Sequence, residues 1–237
     1  MAVPSSASAD TGRVVVIVPA KNEGKNLAVL FQRYRELALP YELVIMDGHS
    51  NDETRDVASA YGIRVVTDAG KGKGSAIRHA IDELDADIFV FMDGDNSHDC
   101  HEIPRLLRPI LDGAADHVSG SRVLGGSDEM FGDFNNFLRA VGNYVIATGI
   151  SLRFKQRISD AENGFRAIRA DVARRLSLRE NLHTIEQEMI IKTLRKGFRL
   201  VEVPTHEFAR LHGTSSISLR RYAFRFVYTW LRYMYFD

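Results

Sequence analysis

A chain of 237 residues in which 31 basic side chains balance 31 acidic ones, with a pI near 7.1, lacks the basic excess of a general nucleic-acid binder. Its single cysteine, Cys100, excludes an internal disulfide framework and a thiolate zinc cluster and suits a reducing compartment. No run of about 18 uncharged apolar residues is present, so nothing reads as a membrane span. Residues Met1 to Gly12 are small and polar, with neither a basic start nor an apolar stretch. They read as a disordered tail and not as a signal peptide, and the expected setting is cytoplasmic, in solution or at a membrane face.

The first half alternates strand and helix signals. Val14-Val-Val-Ile-Val18 is a β-branched run that suits a buried strand, and Asn22 is placed to cap a helix from about Lys25 to Leu37. Glu42 to Met46 is a second strand, followed by Asp47-Gly-His-Ser-Asn-Asp52 and a helix near Thr54 to Tyr61. Ile63 to Thr67 is a third, followed by Gly70-Lys-Gly-Lys-Gly74 and a helix through about Leu84; Ile88 to Met92 is a fourth. Such alternation predicts an α/β fold with a mainly parallel, Rossmann-like sheet flanked by helices. Ligands of these sheets bind beyond the carboxyl ends of the strands, so the clusters at Asn22, Asp47, Lys71 and Asp93 should meet at one crevice.

The second half is less regular. His117 to Gly120 reads as a strand, Asn135 to Gly149 as a helix, and Ser159 to Arg169 as a loop leading into a short strand. Ile185 to Arg195 reads as a helix and Leu200 to Val203 as a strand closed by Pro204. With no internal repeat or low-complexity linker, residues 13–217 are expected to form one domain, with residues 218–237 as an aromatic, basic helix.

Asp93-Gly94-Asp95, at the end of the apolar run Ile88 to Met92, is the strongest chemical signal. Two carboxylates leaving a buried strand are costly unless paired or bound to a cation, and together they suit one hard divalent ion, although Asp and Gly are also ordinary turn residues. Gly72-Lys73-Gly74 before a helix suits an anion, though it lacks the P-loop spacing.

These motifs, with Pro19-Ala-Lys-Asn-Glu23 and Asp47 to Asp52, stand in the order found in family 2, A-fold nucleotide-sugar glycosyltransferases, which the chain resembles. Downstream, Gly120-Ser-Arg122 with Gly125-Gly126, Asp160-Ala-Glu-Asn-Gly-Phe-Arg166, Glu188, Glu202-Val-Pro204 and Arg210-Leu-His-Gly-Thr-Ser215 resemble the dolichyl- and polyprenyl-phosphate sugar synthases. The likeness runs from about Val14 to Ser216. Two positions depart from the pattern: Gly48-His49 stands where Asp-Gly is usual, and Ser216 where the lipid-phosphate synthases often carry Lys.

The resemblance implies a single A-type domain and inverting, metal-dependent transfer of a hexose-type sugar from a UDP- or GDP-linked donor. Pro19, Ala20, Asn22, Glu23 and Asp47 would surround the nucleoside, with helix capping and turn formation as the plain alternatives for Asn22 and Asp47. Lys73 and Gly74 would hold the donor's anion. Asp93 and Asp95 would carry Mg²⁺ or Mn²⁺, with Asp95 the direct ligand, and Asp93 would also touch the donor. Arg122, Arg139, Arg166, Arg210 and Ser215 would face the acceptor and its phosphate. Asp160 would orient the acceptor or act as its base, the alternative being a structural carboxylate. Ser97 and His98 follow the metal pair, His98 by default as an exposed side chain.

The implied acceptor is a polyprenyl phosphate, with a soluble small molecule as the alternative. A nucleotidyltransferase is the reading of another class, but Ala20-Lys-Asn-Glu-Gly24 lacks the glycine-rich loop it would need. On a helix, Arg221, Arg225 and Arg232 share one side among aromatic residues, as in a helix seeking anionic headgroups or one packed on its own domain or on a second subunit. A homo-oligomer is compatible with either.

Overall fold

Seven residues, Val14–Ala20 (β1), form an inner strand of the sheet, where a β-branched run covered on both faces is most stable. Chain order then gives Gly24–Glu36 (α1), Glu42–Asp47 (β2), Thr54–Ala60 (α2), Arg64–Thr67 (β3), Lys73–Glu83 (α3) and Ile88–Phe91 (β4). The second half supplies Ile103–Leu111 (α4), His117–Ser121 (β5), Arg122–Gly125 (α5), Phe134–Phe154 (α6) and Arg166–Arg169 (β6). Ala170–Leu176 (α7), Ile185–Arg195 (α8), Leu200–Pro204 (β7) and Leu219–Tyr235 (α9) complete it. The computed structural model describes residues 12–130, 134–213 and 219–236; Met1 to Thr11, most of the tail read as disordered, and Ser215 lie outside them.

The strand order is β3-β2-β1-β4-β6-β5-β7. β1 runs parallel to β2 and β4, β2 to β3, and β5 to β7, whereas β6 is antiparallel to both neighbours. β6 is the short strand expected at the end of the loop from Ser159 to Arg169, and its ladders to β4 and β5 hold it although arginines stand at both its ends. α4, α5 and α7 escape the sequence reading. In α4, Pro104 occupies the first turn, where no backbone donor is needed, so a residue that looks like a breaker starts a helix.

Residue parity on β1 divides the core. Val14, Val16 and Val18 pack with Leu27, Leu30, Phe31, Ile103 and Leu107 on one side, and Val15 and Ile17 pack with Ile77, Ala80, Phe89 and Met189 on the other. A third cluster joins α6, α8 and α9 through Ile146, Ile150, Ile190, Tyr233 and Met234. The C-terminal helix is therefore packed on the domain along one side.

α6 runs five residues beyond its expected end at Gly149. That glycine is a contact point: a Cβ there would collide with the Trp230 ring of α9. Gly149→Ala is expected to lower stability by about 1–3 kcal/mol, the usual cost of overpacking, as measured by urea unfolding. An unchanged midpoint would show that Trp230 moves aside freely.

Candidate active site

The carboxyl ends of β1, β2 and β4 open into a crevice of about 1160 Å³ whose wall includes Pro19, Ala20, Glu23, Lys73, Asp93 and Asp95. Sequence positions 19 to 95 thus converge, as parallel connectivity requires.

At the exit of β1 the chain turns through Asn22, held at φ 58°, a left-handed conformation that Asn tolerates. Its backbone N–H donates to Ser50 Oγ at 2.8 Å, and its Oδ1 accepts from Asn51 N at 2.8 Å. Asn22 therefore ties the β1 exit to the β2 exit and does not cap α1. Asp52 does so from the neighbouring loop, accepting from Gly24 N at 3.0 Å. Glu23 accepts from Asn26 Nδ2 at 2.6 Å, and burial raises its carboxyl above the usual range.

Asp47 departs from the nucleoside-binding expectation. It is wholly buried and accepts from Arg55 Nε at 2.7 Å and Ser50 N at 3.2 Å, while Met46 and Gly48 line the crevice beside it. The turn-carboxylate role is the one built here. Gly74 also departs from donor binding. A Cβ on it would meet the Glu180 and Leu182 carbonyl oxygens at 2.5 and 2.8 Å, so the glycine admits the chain's own loop. Ser75 N likewise donates to Asn181 O at 3.1 Å, which occupies part of the expected anion cradle.

Lys73 reaches across the crevice instead, its Nζ 2.5 Å from Asp93 Oδ1 and 2.8 Å from Glu186 Oε1. Burial would depress the ammonium, but Asp93 and Glu186 hold its pKa above the ordinary lysine value. Burial would likewise raise Asp93, yet Lys73 and His98 keep it well below the carboxylate range. Gly164 leaves the space for this pair: a Cβ there would lie 2.5 Å from Lys73 Nζ and 2.7 Å from Asp93 Oδ2. His98, expected at the surface, is 3% exposed and stacked on Phe165 at 5.0 Å, with Nε2 3.5 Å from Asp93.

Asp95 accepts from Ser97 N at 3.0 Å and Ser97 Oγ at 2.6 Å, and pairs with Arg210 Nη2 at 2.7 Å. Arg210 also stands 4.0 Å from Glu23, so it serves the side of the crevice that holds Asp93 and Asp95. Each aspartate thus already carries one internal cation, the charge a metal would supply. Their hard oxygens and the Ser97 hydroxyl suit Mg²⁺ or Mn²⁺. Among the described residues no three His, Cys, Asp or Glu side chains group as a metal shell, so the remaining positions would fall to water or phosphate oxygens.

On the far wall, Arg122 is spent on its neighbours. Its Nε and Nη2 bind Asp160 at 2.7 and 2.9 Å, and its Nη1 binds Glu207 at 3.1 Å. Asp160 is wholly buried and also accepts from Asn143 Nδ2 at 3.1 Å and Glu162 N at 3.1 Å. Burial would raise its carboxyl, but Arg122 holds it below the usual range. Its contacts are those of the structural-carboxylate alternative. Arg166 is 1% exposed and donates to the carbonyls of Glu186 and Asn163, behind the crevice, so it does not face an acceptor.

Arg139 lines both the crevice and a side pocket beside it, and makes no ion pair among the described residues. Glu162 lines the same two spaces, and burial pushes its carboxyl up to about 7. Sequence reasoning left Glu162 and Glu186 without roles. The motif residue Glu188 is instead structural, accepting from the backbone N–H groups of Arg179 and Glu180 at 2.8 Å each. The spacing Glu186-x-Glu188 could have drawn attention to both.

A mainly parallel sheet with an acidic pair at the exit of its fourth strand defines an A-type glycosyltransferase fold. The chain belongs to glycosyl transferase family 2, whose profile matches residues 15–177. It is 31% identical over 204 residues to glycosyltransferase AglJ of Haloferax volcanii, covering 86% of this chain and 65% of that protein. It is 31% identical over 230 residues to dolichol-phosphate mannosyltransferase of Pyrococcus furiosus, covering 94% and 63%. The chain thus spans less than two thirds of the length of these two relatives. A dolichyl-phosphate hexose transferase of Haloferax volcanii is 30% identical over 163 residues, covering 69% of this chain and 68% of that one. Glucosyl-3-phosphoglycerate synthase of Mycobacterium tuberculosis, crystallised with Mn²⁺, UDP and glucosyl-3-phosphoglycerate, shares the fold at a TM-score of 0.74 and 21% identity. That match covers 94% of this chain and 80% of the synthase.

Proposed function

We propose that the protein transfers a hexose-type sugar from a nucleoside diphosphate sugar to a polyprenyl phosphate, with a divalent ion at Asp93 and Asp95 and inversion at the anomeric carbon. The observation that carries this reading is the convergence of Asp93 and Asp95 on the crevice, each balanced by a side-chain cation, Lys73 or Arg210. Two relatives named for dolichyl-phosphate acceptors support the acceptor class.

Pro19, Ala20 and Glu23 wall the space for the nucleoside. Lys73 and Arg210 are placed to turn from their aspartates to the donor's diphosphate. A bound Mg²⁺ or Mn²⁺ supplies charge stabilisation for the departing diphosphate. Arg139 offers its guanidinium fork to the acceptor phosphate. A phosphomonoester has a second pKa of about 6, so its attacking oxygen is already anionic near neutrality and no base is required. That oxygen bonds to the anomeric carbon from the face opposite the diphosphate, which leaves with the electron pair of the broken C–O bond.

The raised Glu162 carboxyl favours a second reading, a small hydroxyl acceptor whose proton Glu162 takes. Under that reading the rate rises with pH through about 7 as Glu162 ionises, and Glu162→Gln loses at least about 10²-fold. Under the phosphate reading the same variant loses only a few-fold. The deciding experiment measures nucleoside diphosphate release from a panel of nucleotide sugars, with Mn²⁺ or with chelator, using a short-chain prenyl phosphate and then small hydroxyl compounds. Turnover with the hydroxyl compounds alone would replace the first reading by the second.

A further inference from the structure

Asp93 and Asp95 are held in different ways. Asp95 Oδ1 accepts from Ser97 N and Ser97 Oγ of its own turn, at 3.0 and 2.6 Å, so uncharged donors stay with it when Arg210 leaves Oδ2. Among the described residues, Lys73 and His98 are the side chains that reach the Asp93 carboxylate, Lys73 at Oδ1 and His98 at Oδ2. Lys73 is the group that the proposed reaction draws away to the diphosphate. His98 Nε2, 3.5 Å from Oδ2, is then the donor left to Asp93.

The chain is shaped to deliver His98 to this place. After Asp95 it passes through Asn96 at φ 64°, a left-handed conformation that Asn tolerates, and Asn96 Nδ2 donates to Asn26 O at 2.8 Å. Ser97 O accepts from Phe208 N at 2.9 Å. The turn is thus pinned to α1 on one side and to the segment after β7 on the other. The His98 ring lies on Phe165, their centroids 5.0 Å apart and their planes 19° from parallel, and Phe165 is wholly buried just before β6.

Both His98 ring nitrogens are buried and have no hydrogen-bond partner among the described residues. A buried polar group without a partner is costly, so an imidazole that served packing alone would be better replaced by an apolar ring. A good N–H···O bond is about 2.9 Å long, so the Nε2–Oδ2 contact needs to shorten by only about half an ångström.

We propose that His98 is the positioning residue of Asp93. Its Nε2–H becomes the hydrogen-bond donor to Oδ2 once Lys73 has moved to the diphosphate, and it keeps the carboxylate turned to the divalent ion. Removing the hydrogen-bond partner of a ligating carboxylate typically costs about 10–100-fold in metal affinity. The inference rests on the reading of Asp93 and Asp95 as the site of that ion.

The test follows the ion through nucleotide binding, with no sugar transferred. Calorimetry measures UDP, and separately GDP, binding to the full chain with Mn²⁺ and with chelator; the ratio of the two affinities reports the coupling between ion and nucleotide. His98→Phe keeps a ring on Phe165 and removes the donor. It should cut that ratio at least about tenfold, with the affinity in chelator and the melting temperature retained. His98→Gln sets an amide nitrogen near the position of Nε2 and should restore most of the ratio. His98→Asn sets it near Nδ1, short of Asp93, and should lose the ratio as His98→Phe does. The Gln and Asn variants carry the test by themselves if His98→Phe does not fold. A ratio that His98→Phe and His98→Asn leave intact, or that Gln and Asn lower equally, would overturn the proposal. If Asp95→Asn abolishes the ratio while every His98 variant keeps it, the ion site stands and His98 alone is dismissed. A wild type whose UDP and GDP affinities both ignore Mn²⁺ would dismiss the ion site and the role of His98 with it.

Discussion

Asp95→Asn is expected to lower nucleoside diphosphate release by about 10²–10³-fold, the scale on which loss of one preorganised electrostatic partner of a departing anion is felt. The fold should survive. The substituted amide retains a carbonyl oxygen for the Ser97 N–H and hydroxyl that Asp95 Oδ1 now binds at 3.0 and 2.6 Å, so the turn after β4 keeps its geometry. What disappears is the charge that balances Arg210 at 2.7 Å and would bind a divalent ion. Chelation of the wild type should reproduce the loss and added Mn²⁺ should reverse it, whereas the variant should not respond. Full turnover by Asp95→Asn, or by chelated wild type, would remove the metal from this reaction.

Asp160→Ala should instead damage the fold, by about 3–5 kcal/mol in urea unfolding, because it strands the Arg122 guanidinium in a nearly closed site. Arg122 is bound twice by Asp160 and once by Glu207, and burial alone would depress its pKa. Asp160 is the largest of the charge partners that offset this, with Glu207 next. The native Asp160 pKa lies below its unfolded value, so its contribution is fully present above about pH 4 and fades as pH falls through the native value. The stability gap between wild type and variant should therefore be constant through neutrality and close only in acid. A gap under about 1 kcal/mol at pH 7 would mark Asp160 as a surface-like ion pair. A large rate loss in Asp160→Asn without loss of stability would return to it the role of base that the hydroxyl-acceptor reading gives to Glu162.

The two variants separate aspartates that look alike in sequence. Both stand in short acidic motifs with glycine nearby, and both precede residues that line the crevice. What distinguishes them is the number of donors each meets, Asp160 drawing both Arg122 and Asn143 from segments distant in the chain.

The sequence by itself determined the α/β class, the first four strands and the placement of Asp93-Gly94-Asp95 at a strand exit. Those features rest on local physics: β-branched runs, helix periodicity and turn residues, read within about ten residues. It also located Pro19, Ala20, Glu23, Asp93 and Asp95 at one crevice, because parallel strands joined by helices must place their carboxyl ends together. Only the tertiary structure decided which charged groups are free to act. Arg166, Asp47 and Asp160 were indistinguishable in sequence from site residues, and each is buried against partners that long-range packing supplies. β6 shows the reason: its two antiparallel ladders, to Ile88–Phe91 and to His117–Ser119, bring residues 160–166 beside residues 93 and 122. That juxtaposition pairs Arg122 with Asp160, clears room at Gly164 for Lys73 and Asp93, and leaves Glu162 and Arg139 lining the crevice. No local pattern encodes it, since the energy that selects those partners arises only when separate segments exclude water together.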